Sequence, residues 1–168
     1  MKSGERTKIG LMQSDDEHWM GIAIEAALAA EAIAEVPIGA CLVASDGKLL
    51  AVASNRTISD NDPTAHAEVL AIRAAAKRIG NYRLLDTTLY STVEPCVMCA
   101  GALVNARVSK IVFGTADERF GGVVTRFPLC DSPLLNHRLE IMGGVRAEEC
   151  RVLMQDFFRT RRGTAEVQ

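Results

Sequence analysis

Two short motifs contain the residues of this chain that could do chemistry. His66-Ala67-Glu68 places a carboxylate two residues after an imidazole, and Pro95-Cys96-Val97-Met98-Cys99 places two thiols three residues apart. One imidazole nitrogen and two thiolates fill three corners of a zinc tetrahedron and leave the fourth for water, which is typical of a catalytic site. We therefore predict one zinc ion (Zn2+) per subunit, bound by His66, Cys96 and Cys99.

Glu68 lies outside this set of ligands, and its carboxylate is predicted to move protons. Zinc lowers the pKa of a bound water from about 16 toward about 7, so a nearby base can take up the proton that this water loses. Since Glu68 and His66 can face one cavity from the start of a helix, the carboxylate can then return protons to a ring nitrogen and a leaving amine. The expected reaction is hydrolytic deamination, which yields a carbonyl and ammonia.

A Cys-x-x-Cys pair considered alone fits two other kinds of site. It occurs as a redox pair and as half of a closed four-ligand zinc site. Cys41, Cys130 and Cys150 are isolated, so the sequence offers no second pair to close such a site. The His-x-Glu motif, together with a proline before the first cysteine, is instead the pattern of zinc deaminases. That proline is also suited to open a helix, whose N-terminal amides favour thiolates.

Length and composition predict one soluble domain. The 168 residues, 48% of them hydrophobic, suffice for one well-formed core. We predict a loose N-terminal tail over residues 1–13, a single zinc-dependent domain over residues 14–162 and a C-terminal tail over residues 163–168. An odd number of cysteines, with no apolar signal segment and no apolar run of about 20 residues, predicts a cytoplasmic protein with no membrane partner.

The charge of the chain predicts that any RNA-binding surface is local. The net charge is −2 and the isoelectric point is near 5.9, so there is no overall basic field. The candidate patch consists of Arg159, Arg161 and Arg162, with Arg138 and Lys110 as further members. The alternative is an ordinary solvated helix end, where cations also complement the helix dipole.

The pattern of apolar residues predicts four helices and about five strands. The predicted helices cover residues 14–34, 66–80, 96–107 and 147–162, and the predicted strands cover residues 38–44, 49–53, 87–92, 110–113 and 138–142. Asp46-Gly47 predicts a hairpin between the first two strands. The strand-helix-strand order of residues 87–113 predicts a parallel pair with a right-handed crossover. The predicted fold class is α/β, a three-layer α/β/α fold with a mixed central sheet of about five strands.

Several longer stretches carry a more specific signal. They are Glu35-Val36-Pro37-Ile38-Gly39-Ala40, Asn55-Arg56, Asp62-Pro63-Thr64-Ala65-His66-Ala67-Glu68, Asn81-Tyr82-Arg83-Leu84, Leu89-Tyr90-Ser91-Thr92-Val93-Glu94-Pro95-Cys96-Val97-Met98-Cys99-Ala100-Gly101-Ala102, Asn136-His137-Arg138 and Asp156-Phe157-Phe158-Arg159-Thr160-Arg161-Arg162. With these stretches the chain resembles the cytidine and deoxycytidylate deaminase superfamily, and most closely the bacterial tRNA-specific adenosine deaminases. The similarity extends from the first helix to Arg162.

The resemblance implies a cytidine-deaminase-like fold and a homodimer. It implies a zinc site of His66, Cys96 and Cys99, with Glu68 as general acid and base. It also implies a tRNA partner, in which the wobble adenosine of an arginine tRNA is flipped into the pocket and becomes inosine. Asn55 matches the position of an asparagine that contacts the base, whereas asparagine is more commonly a turn residue or a helix cap.

The segment after Phe113-Gly114 departs from the pattern of that family. Arg119-Phe120-Gly121-Gly122-Val123-Val124-Thr125 stands where the tRNA enzymes usually carry Lys-Thr/Ser-Gly-Ala/Cys-x-Gly-Ser, in a loop near the substrate. Deaminases of free guanine or cytosine share the same metal chemistry, so a free nucleobase or nucleoside is the alternative substrate. A third alternative is a catalytically silent partner subunit, and Glu68 argues against it because such a subunit needs no proton shuttle.

Overall fold

The computed structural model describes the backbone of residues 4–165 and the side chains of residues 15–162. The helices are α1 (Gly4–Ala32), α2 (Ala67–Ile79), α3 (Val97–Ala106) and α4 (Ala147–Ala165), and the strands are β1 (Gly39–Ala44), β2 (Leu49–Ser54), β3 (Thr87–Val93), β4 (Lys110–Thr115) and β5 (Glu140–Gly143). Across the described part of the chain, no helix combines the length and the apolar character needed to cross a membrane.

The five strands form one mixed sheet in the order β2-β1-β3-β4-β5. Strand β1 is antiparallel to β2 and to β3, whereas β3, β4 and β5 run parallel. The β1–β2 turn contains Gly47 at a φ of 81°, and the Asp46 carboxylate accepts a hydrogen bond of 3.0 Å from the Lys48 N–H. The predicted hairpin and the predicted parallel pair are both confirmed.

Side chains that alternate along the strands build two cores, one on each face of the sheet. Ala40 and Leu42 of β1 belong to the core that includes residues of α2 and α3. Cys41 and Val43, which point the other way, belong to the core that includes residues of α1 and α4. This alternation follows from the two-residue period of a strand. The predicted helix-sheet-helix layers are therefore confirmed, with α2 and α3 together on one face.

Three predicted boundaries are wrong. Helix α1 begins at Gly4, not Ser14, so residues 4–13 are helical where a loose tail was predicted. Residues 5–13 are mostly good helix formers, so the capping pattern at Ser14 lies inside a longer helix. Helix α4 continues past Arg162 to Ala165, and the last strand begins at Glu140 rather than two residues earlier. Residues 1–3 and 166–168 of the predicted tails lie outside the described residues, and the division into one domain and two tails stays a prediction.

Candidate active site

Two helix N-termini meet on the face of the sheet that α2 and α3 cover. His66 is the N-cap residue of α2 and Cys96 is the N-cap residue of α3, both with extended backbone. Neither side chain forms a capping hydrogen bond to its own helix, so the imidazole and the thiol remain available to a ligand. Cys96 thus lies just before the first helical turn in which it was predicted, and Cys99 lies within that turn.

The three predicted ligand residues are brought together with the spacing of a metal site. The His66 Nδ1 atom lies 3.6 Å from Cys96 Sγ and 3.5 Å from Cys99 Sγ, and the three atoms all lie within 4.8 Å of one another. Tetrahedral geometry with Zn–S bonds of about 2.3 Å and Zn–N bonds of about 2.0 Å separates nitrogen from sulfur by about 3.5 Å. Both the donor types and their spacing therefore fit zinc.

The pKa values of the two thiols of this group are shifted in opposite directions. A hydrogen bond from Cys99 and the neighbouring His66 lower the pKa of the Cys96 thiol to about 4, although burial acts in the opposite direction. The same hydrogen bond, together with burial, raises the pKa of Cys99. A divalent cation bound between the sulfurs would favour the thiolate form of both cysteines.

Glu68 is buried in the first turn of α2, directly beside the sulfur atoms. Glu68 is only 3% exposed, and its Oε2 atom lies 3.5 Å from the Cys99 sulfur. The Ser91 hydroxyl lies 3.3 Å from the other carboxylate oxygen, Oε1. Burial raises the pKa of Glu68. The sequence gave Ser91 no role, and its place on the buried face of β3 became visible only in the fold.

A cavity of about 1080 Å³ opens over this group. His66, Glu68 and Cys96 line its deep end, which we call the cavity floor. Its outer edge, which we call the cavity rim, is formed by residues 115–120, by Phe127 and by the side of α4 that faces them. The volume is at the upper end of the range of small-molecule sites, which is about 300–1,000 Å³, and it accommodates a nucleoside with room for its neighbours.

Asn55 lines the same cavity, and a buried carboxylate fixes its amide group. The Asn55 Nδ2 atom donates hydrogen bonds of 3.1 Å to Glu35 Oε2 and of 3.3 Å to Thr57 Oγ1. Burial of Glu35 acts to raise its pKa, but hydrogen bonds from Ser59 and Thr57 outweigh this and lower it. Asn55 is thus more than a turn residue, and the role of Glu35 in holding it had no signal in the sequence beyond the shared stretch.

A second buried carboxylate, Glu94, anchors the segment that follows β4. It accepts hydrogen bonds of 3.2, 3.3, 2.8 and 2.9 Å from the backbone N–H groups of Asp117, Val123, Val124 and Thr125. The Thr125 hydroxyl donates a fifth. Burial acts to raise the pKa of Glu94, but the bonds from Thr125 and Val124 lower it overall. These hydrogen bonds therefore attach residues 117–125 to Glu94, which directly precedes Pro95.

The same segment lies directly against the start of α3. The Gly122 N–H donates a hydrogen bond of 2.7 Å to the Pro95 carbonyl, and Gly121 pairs with Cys96 in an isolated β-bridge. A Cβ atom at Gly122 would lie 2.6 Å from the backbone nitrogen of Val97, which is too close for any side chain. The loop that departs from the family pattern is thus in contact with a predicted metal ligand.

The structure divides the predicted basic patch. Arg161 and Arg162 line the cavity, whereas Arg159 is in an ion pair of 2.7 Å on the exposed side of α4. Arg138 and Lys110 are in ion pairs elsewhere and do not line the cavity. Two of the five predicted cations therefore face the site.

Comparisons with known proteins agree with this arrangement. The family model described as the cytidine and deoxycytidylate deaminase zinc-binding region matches residues 13–115, a stretch that includes all five predicted site residues. The chain is 45% identical over 153 residues to a tRNA-specific adenosine deaminase of Haemophilus influenzae, which covers 91% of this chain and 88% of that protein.

Solved structures give the same picture with one instructive difference. A structure from studies of A-to-I editing by tRNA:A34 deaminases superposes with a TM-score of 0.78 at 38% identity, covering 81% of this chain and 98% of the other. A guanine deaminase of Bacillus subtilis superposes with a TM-score of 0.58 at 40% identity, but covers 60% of this chain and 64% of the other. The likeness to the guanine enzyme is therefore less extensive.

Proposed function

The chain belongs to the cytidine and deoxycytidylate deaminase family, and we propose that it converts the wobble adenosine of a tRNA anticodon to inosine with release of ammonia. The observation that carries this proposal is the position of Glu68. A buried carboxylate lies beside three zinc-type donors, at the floor of a cavity whose rim includes Arg161 and Arg162. Proton transfer and RNA binding thus have their residues around one cavity.

The catalytic step follows from where Glu68 lies. His66, Cys96 and Cys99 would hold the zinc ion, which would supply the positive charge that makes water a nucleophile near neutral pH. Glu68 accepts a proton from the attacking water and delivers protons to N1 of the adenine and to the leaving amine. A C6–O bond forms, the C6–N bond breaks, and one water and one adenosine become one inosine and one ammonia. The Ser91 hydroxyl lies 3.3 Å from the Glu68 carboxylate and donates its shorter hydrogen bond, of 2.8 Å, to the Val93 carbonyl.

Asn55 is proposed to contact the substrate base. Its amide hydrogens are directed at Glu35 and Thr57, so the amide oxygen is the atom that it can offer to a donor on the substrate. A buried amide held by a second residue positions a ligand more sharply than a free side chain does. Asn55 would therefore orient the substrate base relative to the residues of the cavity floor.

We further propose a cytoplasmic homodimer. A tRNA substrate places the enzyme in the cytoplasm, and Cys41, Cys96, Cys99, Cys130 and Cys150 are all free thiols, as is usual in a reducing compartment. The dimer is implied by the family, and a molar mass near twice 18.1 kDa in light scattering after gel filtration is the expected result.

A free nucleobase is the second candidate substrate, and a specific observation favours it. Residues 119–125 lack the small polar residues of the tRNA enzymes, and the guanine deaminase of Bacillus subtilis is 40% identical over the part that superposes. The tRNA is favoured because the relative from Haemophilus influenzae covers 91% of the chain rather than 60%.

The test is the nucleoside content of an arginine tRNA that carries an unmodified wobble adenosine. Zinc-loaded protein is expected to produce inosine at this position, and the Glu68→Ala variant is expected to produce none. The apparent KM should rise steeply with salt concentration because arginine contacts to phosphates release counterions. Ammonia release from guanine or cytosine by the wild-type protein, with no inosine in the tRNA, would replace tRNA by a free base as the substrate.

A further inference from the structure

Phe120 presents an exposed ring from a backbone that is fixed on both sides. Phe120 is 62% exposed to solvent. Its N–H donates a hydrogen bond of 3.1 Å to the Asp117 carboxylate, and the next residue, Gly121, donates one of 3.0 Å to the Asp117 carbonyl. Gly122 is attached to Pro95, and Glu94 holds the residues beyond it. The exposure of the ring is therefore imposed by an ordered turn.

The ring lies at the rim of the cavity, among other partly exposed apolar side chains. Phe120, Phe127, Phe158 and Val97 all line the cavity and are all exposed. Glu68, by contrast, is buried at the floor. Because Glu68 is buried and Phe120 is exposed, we expect a base that reacts beside Glu68 to leave the Phe120 ring available to a group that remains at the rim.

Four arginines line the cavity around this apolar group, together with the acidic residues Asp117 and Glu118, and one of the arginines, Arg151, is paired with Glu148. The other three are Arg119, Arg161 and Arg162. The Arg161 guanidinium lies over the ring of Phe157 at 4.5 Å from its centroid, which fixes part of this charge beside the rim. Aromatic rings interleaved with cations are the surface on which single-stranded nucleic acids bind, because bases stack on the rings while phosphates meet the positive charges.

We propose that Phe120 is a stacking platform for a nucleobase directly next to the target adenosine in a single-stranded RNA loop. This inference rests on the proposed function and deepens it, since it assigns one residue to the recognition of the RNA that flanks the reacting base. The target enters the floor, and its neighbour stays at the rim on the ring of Phe120. The departure from the family pattern at this position thereby becomes a binding feature of this chain.

The first experiment measures RNA binding without turnover. The Glu68→Ala protein is titrated with a labelled anticodon hairpin that carries the adenosine. The titration is repeated with three double variants, in which Phe120→Ala, Phe120→Trp or Leu134→Ala is combined with Glu68→Ala. Leu134 is the matched control, because it is 92% exposed and does not line the cavity. Stacking of one base contributes about 1–3 kcal/mol, so Phe120→Ala should weaken binding roughly tenfold. Phe120→Trp and Leu134→Ala should retain it.

The second experiment removes the base instead of the ring. Hairpins with an abasic nucleotide on the 5′ or the 3′ side of the adenosine are bound by the same proteins. For one of the two positions, the abasic hairpin should bind the Phe120-containing protein about tenfold more weakly. The same hairpin should bind the Phe120→Ala protein as well as the intact hairpin does, because the stacking partner is already absent. A structural effect of Phe120→Ala would instead persist whichever base is missing.

The outcomes separate this inference from the proposed function. Equal binding by the Phe120→Ala and Leu134→Ala proteins, or an abasic penalty that is unchanged by Phe120→Ala, would overturn the platform even if the wild-type enzyme forms inosine. A Phe120-dependent abasic penalty supports the platform even if the wild-type enzyme forms no inosine, in which case the proposed reaction fails and the RNA contact stands. No binding of any hairpin overturns both.

Discussion

The cavity floor and the cavity rim are built in opposite ways. The floor residues lie at the starts of α2 and α3. His66 and Glu68 are therefore only two residues apart in the chain, and Cys96 and Cys99 are only three residues apart. The rim segment is held from a distance, since Glu94 accepts bonds from residues 23 to 31 positions later in the sequence. Glu68 at the floor is also buried, whereas Phe120 at the rim is mostly exposed.

The difference indicates that the cavity floor determines the reaction and that the cavity rim determines the substrate. Metal ligands and a proton shuttle require fixed, short distances, and consecutive positions at a helix start supply them. Recognition of a large substrate requires a surface, and a surface can change one loop at a time. Substitutions at the floor should therefore lower kcat, and substitutions at the rim should mainly raise KM.

Removal of a ligand at the floor is expected to have the largest effect. Cys99→Ala should abolish deamination together with bound zinc, because two protein ligands hold the ion far less tightly than three. The matched control is Cys130→Ala, which removes a buried thiol that is not part of the metal group. Metal content by mass spectrometry should be near zero for the first variant and near one ion per subunit for the second. A Cys99→Ala protein with full zinc content would contradict the ligand assignment.

Glu68→Gln should come next, with kcat about 10²- to 10⁴-fold lower, which is the usual contribution of general acid and base catalysis. Zinc content should remain at the wild-type value because the carboxylate is not a ligand. Measurement of kcat beside the metal content distinguishes a lost proton shuttle from a lost ion. Wild-type turnover by this variant would remove Glu68 from the mechanism.

Glu94→Gln tests whether the rim depends on its anchor. The amide keeps the size of the side chain but replaces an acceptor oxygen by a donor, so some loop N–H groups lose their partner at a cost of about 1–3 kcal/mol each. Urea unfolding should show this loss, and KM for the hairpin should rise more than kcat falls. Thr125→Val removes one of the five hydrogen bonds and should cost about 1 kcal/mol. Equal effects of the two variants would show that Glu94 is not the common anchor.

The smallest effect is expected in the acid stability of the group that holds Asn55. The folded-state pKa of Glu35 is lowered, so its contribution to stability is present above the pKa of the unfolded chain, about 4.3. This contribution is lost as the pH falls from there through the folded-state pKa. Melting temperatures measured between about pH 6 and pH 3 should therefore fall less steeply for Glu35→Gln than for the wild-type protein. Parallel curves would mean that Glu35 is not held as a charged acceptor.

The sequence predicted the floor well and the rim poorly for a physical reason. His66, Glu68, Cys96 and Cys99 are recognisable because their spacing is local, and the alternation of apolar residues similarly predicted the order of strands and helices. The hydrogen bonds that fix residues 117–125 join residues that are far apart in the sequence, and no periodicity or motif spacing predicts such bonds. Only the fold brings Glu94 under that loop, Glu35 beside Asn55 and Ser91 beside Glu68.

The helix boundaries illustrate the same limit. The capping pattern at Ser14 is a local signal of a helix start, yet α1 begins ten residues earlier because the preceding residues also favour a helix. The local pattern was correct in kind, and the surrounding structure decided its use.

A ratio of kcat/KM values for one preparation of wild-type enzyme distinguishes RNA from a free base as the substrate of this cavity. An anticodon hairpin with a wobble adenosine is compared with free adenosine, guanine and cytosine, with Glu68→Ala as the blank. A floor that sets the chemistry and a rim that recognises RNA predict Glu68-dependent turnover of the hairpin, with kcat/KM at least about 100-fold above that of any free compound, which corresponds to roughly 2.7 kcal/mol. Glu68-dependent turnover of a free base at the same or higher kcat/KM would show that the rim does not select RNA.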